Sequence, residues 1–176
     1  MCGGFGKRHR LGGVRVLGVD FGLRRIGLAL SDESGMLASA WQTLQAAGDP
    51  RASAQAIAQL LTRARDGGDE RAASVGAIVV GLPRRLNGED NALSQPARHF
   101  ANALATATGL AVSLQDERLS SREAESQLAV REKDWRRRKA QLDAAAAAVI
   151  LQDYLDGTAR RARSTDTDDE SEAPNT

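Results

Sequence analysis

The strongest constraint on the fold lies at residues 76–80, Gly-Ala-Ile-Val-Val, a continuous apolar run bounded by Gly81 and Pro83. A strand with one wet face alternates apolar and polar residues, whereas one that is apolar throughout must be covered on both faces. The run therefore belongs at the centre of a sheet with helices above and below. A chain of 176 residues is long enough to build one such domain around a real core.

Upstream, VRVLGV (14–19) and RIGLAL (25–30) are short aliphatic and β-branched runs separated by FGLR, which reads as a hairpin with Gly22 supplying the turn freedom. MLASAW (36–41), after a turn at Asp32 to Gly35, adds a third antiparallel strand. The period then changes. Ala54, Ile57, Leu60 and Leu61 share one face of a helix that Pro50 opens and Gly67-Gly68 closes. Leu93, Ala97, Phe100 and Leu104 carry the stripe of a second helix, ended by Gly109 and followed by the strand LAVSL (110–114). Ser120 and Glu123 have capping-box spacing, so a third helix starts at Ser120 and runs through Leu128. The Ala-rich segment 142–156 is the last helix, and its small side chains allow close packing on a sheet. This order, β-β-β-α-β-α-β-α-α, predicts an α/β fold: a mixed five-stranded sheet, three antiparallel strands then two parallel crossovers, with helices on both faces.

Residues 1–13 read as a disordered leader, 14–157 as the domain and 158–176 as a disordered acidic tail too polar to bury itself. Hydrophobic residues make up 41% of the chain and charged residues 27%, an ordinary globular balance. The single cysteine, Cys2, excludes an intrachain disulfide and a cysteine metal site, which suits a reducing compartment. No run of about 18 apolar residues is present, and the basic start has no apolar stretch behind it, so a cytoplasmic protein without a membrane partner is expected. The net charge of +1 hides a segregation, because Arg131 to Lys139 holds six basic residues against two acidic and Ser164 to Thr176 holds five acidic and no basic.

Candidate chemistry sits at the ends of these elements. Asp20 closes the first strand, Glu117 follows the last, and Asp143 lies at the start of the final helix, so all three can converge at one end of the sheet. Hard oxygen ligands suit Mg²⁺ or Mn²⁺, and two such ions about 3.5–4 Å apart can activate a water and stabilise a leaving oxygen. Each acid also has a plain reading: Asp20 as a turn residue, Glu117 as a surface partner of Arg118, Asp143 as a helix cap. His9 and His99 lie in the leader and on a helix flank, which leaves a serine nucleophile without its base. Gly81-Leu82-Pro83 reads as a tight turn that presents Arg84, Arg85 and Asn87 to a phosphate backbone, with Arg24, Arg25 and Arg118 on the rim. Trp135 and the basic run Arg136, Arg137, Arg138 and Lys139 are expected to form a mobile substrate-facing loop. Aromatics at 3% leave little for base stacking, so recognition by backbone and shape is expected.

At these residues the chain resembles the YqgF/RuvX family of Holliday-junction-resolvase-like nucleases. The matching blocks are VLGVDFGLRRIGLALSD (16–32), AIVVGLPRRLNGED (77–90), LQDERLSSREAESQL (114–128) and KAQLDAAAAAVILQDYLD (139–156), which span nearly the whole domain. The resemblance implies an RNase H-like nuclease with its acidic residues at Asp20, Glu117 and Asp143 and with Mg²⁺ or Mn²⁺ as cofactor. The implied role is maturation of the 5′ end of the 16S ribosomal RNA precursor, with cleavage of branched DNA at Holliday junctions as the alternative and a homodimer left open. Ser120-Ser121 stand where many members have threonines.

Two other readings compete. An actin-like or sugar-kinase-like ATPase uses a similar Asp-x-Gly hairpin, but needs two related domains and this chain has room for one. A nucleic-acid-binding regulator without catalysis is the other, against which the three intact acids argue.

Overall fold

The computed structural model describes residues 13–118 and 135–167, with the backbone alone at 118, 135–140 and 164–167. Three strands open the fold, β1 (Arg15–Phe21), β2 (Arg25–Ser31) and β3 (Ala38–Gln45). Helices α1 (Pro50–Asp66) and α2 (Glu70–Ala73) lead to β4 (Val75–Arg84). Helix α3 (Ser94–Thr108), strand β5 (Ala111–Arg118) and helix α4 (Trp135–Thr167) follow. The five strands form one sheet in the order β3-β2-β1-β4-β5. β1 pairs antiparallel with β2, and β2 with β3, whereas β1–β4 and β4–β5 are parallel. This is the mixed five-stranded sheet expected from the order of apolar runs.

The two faces have different covers. Leu17, Val19 and Phe21 of β1 point into a large core with Ile57 and Leu61 of α1 and Phe100 and Leu104 of α3. Phe21 and Phe100 stack with ring centroids 4.5 Å apart, which fixes the end of β1. On the other face Val16, Ala29 and Val79 pack against Ala147, Leu151 and Leu155 of α4. Here helix and sheet approach closely: a Cβ on Gly18 would lie 2.7 Å from the Leu151 Cβ and 3.0 Å from the Ala147 carbonyl. The alanines of α4 thus work together with glycines in the strands. Near its middle Gln152 ties the helix to the β2–β3 connection and the start of β3, its Oε1 accepting from Ala38 N at 2.9 Å and its Nε2 donating to Met36 O at 2.9 Å.

Local chemistry explains the boundaries. Asp49 caps α1 by accepting from Arg51 N and Ala52 N, and Pro50 begins the helix where no N–H is needed. Gly109 ends α3 at φ 68°, in the left-handed region that favours glycine. Gly22 does not act as expected, since its φ is not positive; a Cβ there would meet the Arg25 carbonyl at 2.6 Å, so close approach is what requires glycine. In the β2–β3 turn the Asp32 carboxylate accepts from Met36 N, Leu37 N and the Ser34 hydroxyl. The Ser34 hydroxyl, then the Leu37 amide, lower its pKa to about 2.

Several expectations are corrected. Gly81-Leu82-Pro83 is not a turn: β4 continues through it, pairing Gly81 to Arg84 with Gln115 to Arg118. Pro83 is tolerated near the strand's end, and its carbonyl accepts from the buried Ser94 hydroxyl at 2.5 Å. β5 likewise extends to Arg118, so Glu117 lies on the strand and not after it. The segment Trp135 to Lys139 is the first part of α4, not a loop, because arginine and lysine are good helix formers. Nor does the helix stop at Asp156; it reaches Thr167, ten residues into the stretch expected to be a disordered tail. Thr158 Oγ1 and Arg160 Nε donate to the carbonyls of Tyr154 and Asp156 there. The expected helix at Ser120 to Leu128 lies outside the described residues, as does nearly all of the leader.

Candidate active site

Alternation along β1 sets the first acid. Val16 packs under α4 and Gly18 lies against Leu151, so Asp20 points to that same face, opposite to Val19 and Phe21. It is 4% exposed, deep for a carboxylate. In the sheet its neighbours are glycines. Asp20 pairs with Gly27 on β2, and the parallel register Val19 to Val80 puts Gly81 of β4 on its other side. Neither neighbour has a side chain to fill the space beside it.

The Glu117 carboxylate and the Asp143 backbone reach that space. Glu117 on β5 is partly buried, and a Cβ on Gly81 would lie 3.0 Å from its Oε2 and 2.8 Å from Ile150 Cδ1 of α4. A Cβ on Gly27 would collide with the backbone carbonyl of Asp143. Glycine in a strand interior weakens the strand, so its presence on both sides of a buried carboxylate marks a close approach. Asp143, Ala147, Leu151 and Leu155 follow one another at helical spacing of four, and the last three pack on the sheet. Asp143 begins that stripe.

The start of α4 at Trp135 removes the cap explanation for Asp143, which lies well inside the helix, where aspartate has no intrinsic preference. Its Oδ2 lies 3.0 Å from Arg25 Nε, with the two side chains 23% and 18% exposed. That oxygen is buried and accepts no hydrogen bond. The structure thus brings Asp20, Glu117 and Asp143 to one face and one end of the sheet. Among the described residues no group of three or more Asp, Glu, His or Cys side chains is gathered into a metal-holding cluster. The carboxylate of Asp143 is instead engaged by arginine.

The basic residues divide by their partners. Arg84 lies 3.6 Å from Asp90 and 3.4 Å from Asp116, so its charge is already balanced. Arg85 pairs loosely with Glu89 at 3.8 Å, and Asn87 Oδ1 accepts from Glu89 N inside a short hairpin turned by Gly88 at φ 83°. Asn87 therefore shapes the turn. Arg24 is exposed in the β1–β2 turn, beside the acidic end. The backbones of Arg118 and of Arg136, Arg137, Arg138 and Lys139 are placed at the end of β5 and the start of α4. Sequence reasoning misses the roles of Gly27 and Gly81, although glycine interrupting an otherwise apolar strand is a signal for them.

Comparison with known proteins fits this geometry. A family model described as "RuvX: Holliday junction resolvase" matches residues 14–157. A protein of Pelotomaculum thermopropionicum is 39% identical over 150 residues, covering 85% of this chain and 92% of its own length. One from Anaeromyxobacter dehalogenans strain 2CP-1 is 45% identical over 143 residues, covering 81% of this chain and 97% of its own length. Both carry the name "Putative pre-16S rRNA nuclease". Among solved structures, Thermus thermophilus RuvC in complex with a Holliday junction substrate is 13% identical, with a TM-score of 0.41 over 81% of this chain and 93% of that one. No helix among the described residues is long and apolar enough to cross a membrane. With a family match across the whole sheet and its covering helices, the chain belongs to the RuvX family and is a nuclease, a hydrolase of phosphodiester bonds.

Proposed function

We propose that the chain is a metal-dependent endonuclease acting on structured nucleic acid, that its substrate is the 5′ end of the 16S ribosomal RNA precursor, and that it works in the cytoplasm, where that precursor is processed. The observation that carries this reading is the placement of Asp143: a buried carboxylate oxygen without a hydrogen bond, on the helix that covers the face of the sheet holding Asp20 and Glu117. Oxygen donors of this kind fit Mg²⁺ or Mn²⁺. The glycines beside Asp20 let Glu117 and the Asp143 backbone come close to the sheet there.

Asp20, Glu117 and Asp143 would hold the ion. When bound, Mg²⁺ or Mn²⁺ supplies a water of lowered pKa and neutralises charge on the phosphate and leaving oxygen. Asp20 is the most deeply buried of the three and lies next to Phe21, whose stack on Phe100 anchors that end of β1. Arg24 at the hairpin tip, with Arg136, Arg137, Arg138 and Lys139 in the first turns of α4, would contribute charge for a phosphate backbone.

The family's description favours a second substrate, the four-way DNA junction. A junction presents two strands for cleavage, so that reading also calls for a homodimer with two sites. The test is to incubate purified protein and Mn²⁺ with a 16S precursor fragment and, separately, with a four-way junction. Metal-dependent cutting of the precursor alone supports the proposal. Cutting of the junction alone transfers it to the second reading, and binding without cutting of either returns the chain to a regulator's role.

A further inference from the structure

We propose that Arg25 stands in for a cation at Asp143, so that a divalent ion must displace it to reach that carboxylate, and that this exchange sets metal affinity. The inference rests on the metal-dependent reading above and concerns a residue otherwise expected only to touch phosphate.

Arg25 opens β2 immediately after the hairpin turn, two residues before Gly27. Alternation puts both on the face covered by α4. Gly27 lets the Asp143 backbone come down onto the sheet, and Arg25 then meets the Asp143 side chain from beneath, Nε to Oδ2 at 3.0 Å. The two groups are mostly buried, so their attraction is little screened. A site that gathers carboxylates needs a compensating positive charge whenever metal is absent, because like charges at short range oppose ionisation.

The contact is close but poorly directed. Oδ2 is buried and accepts no hydrogen bond, so arginine neutralises its charge without satisfying its lone pairs. A guanidinium needs its N–H aligned with the oxygen, whereas a metal ion makes no such demand on angle and brings twice the charge. Asp143 Oδ2 is thus held by a partner that a divalent ion can replace with gain. Arg84 offers the contrast, for it divides its charge between Asp90 and Asp116, neither of which belongs to the acidic set.

The test is Mn²⁺ binding by calorimetry, without nucleic acid, to the wild type and to Arg25→Gln. Removing the competing charge should tighten Mn²⁺ binding by about tenfold, the scale of one partly buried charge pair. Unchanged or weaker binding in the variant, with a wild type that binds, overturns the inference and leaves the metal reading standing. If neither protein binds Mn²⁺, both fail. Should the variant not fold, the wild type alone decides: in a Mg²⁺ titration followed by nitrogen NMR, the Arg25 Nε–H signal should move in step with saturation. A signal that stays fixed at saturating Mg²⁺ overturns the exchange.

Discussion

Gly27 lies directly beneath the carbonyl oxygen of Asp143, so closely that no side chain can stand between strand and helix. The sheet-facing stripe of α4 begins at that point, and with it the position of the third acid relative to Asp20, the register partner of Gly27. Gly27→Ala should force the helix away from β2. Overpacking of this kind costs about 1–3 kcal/mol. Denaturant unfolding should show that destabilisation, and cleavage should fall further than the folded fraction, since the displaced residue is Asp143. A variant with unaltered cleavage would mean that Asp143 need not sit where the structure holds it.

The β2–β3 turn gives a prediction in pH. The pKa of Asp32, lowered to about 2, is below the usual carboxylate value near 3.9, so the unfolded chain binds its proton first as pH falls. Its contribution to stability is therefore fully present above about pH 4 and disappears as pH drops through about 2. Carbon NMR of the Asp32 carboxyl should give a midpoint near 2, moving upward in Ser34→Ala because the largest cause is then removed. A wild-type midpoint near 4 would show that the turn does not hold the carboxylate.

Much of this arrangement is legible in the sequence, and the misreadings have physical causes. Continuous apolar runs announce β1, β2 and β4, and Asp20 stands out because it ends such a run. Gly81 and Pro83 look like punctuation, yet β4 passes through them because its pairing with β1 ends at Val80, so the missing N–H of Pro83 breaks no bond to β1, and Glu117 needs the space over Gly81. The start of α4 is hidden because Trp135 to Lys139 carries charge and no apolar period, although its propensity is helical. The ion pair of Arg25 with Asp143 joins residues far apart in the chain, and no local pattern reports it.

The basic start of α4 should govern binding strength. Replacing Arg136, Arg137 and Arg138 together with alanine keeps helix propensity and removes three charges. For every phosphate that the variant no longer neutralises, the slope of log affinity against log salt should shrink by about 0.7–0.9. Filter binding of single-stranded and duplex substrates across a salt series measures this, and the weakening should be similar for every sequence tested. An unchanged slope would make the run an ordinary solvated surface.

Asp20→Asn is the sharpest test of the chemistry. Asparagine has nearly the shape of aspartate, and the carboxylate is only 4% exposed between two glycines, so the fold should persist. Circular dichroism should therefore match the wild type. An amide oxygen carries no charge with which to hold Mg²⁺ or Mn²⁺ against water, and metal-dependent cleavage should fall by at least about 1,000-fold. Binding should survive, and in the absence of metal it should tighten, because one of the charges that repel the phosphate backbone has gone. Chelator should stop the wild type in the same way. A folded Asp20→Asn protein cleaving at the wild-type rate would remove Asp20 from the mechanism, and the convergence of Glu117 and Asp143 beside it would then need another purpose.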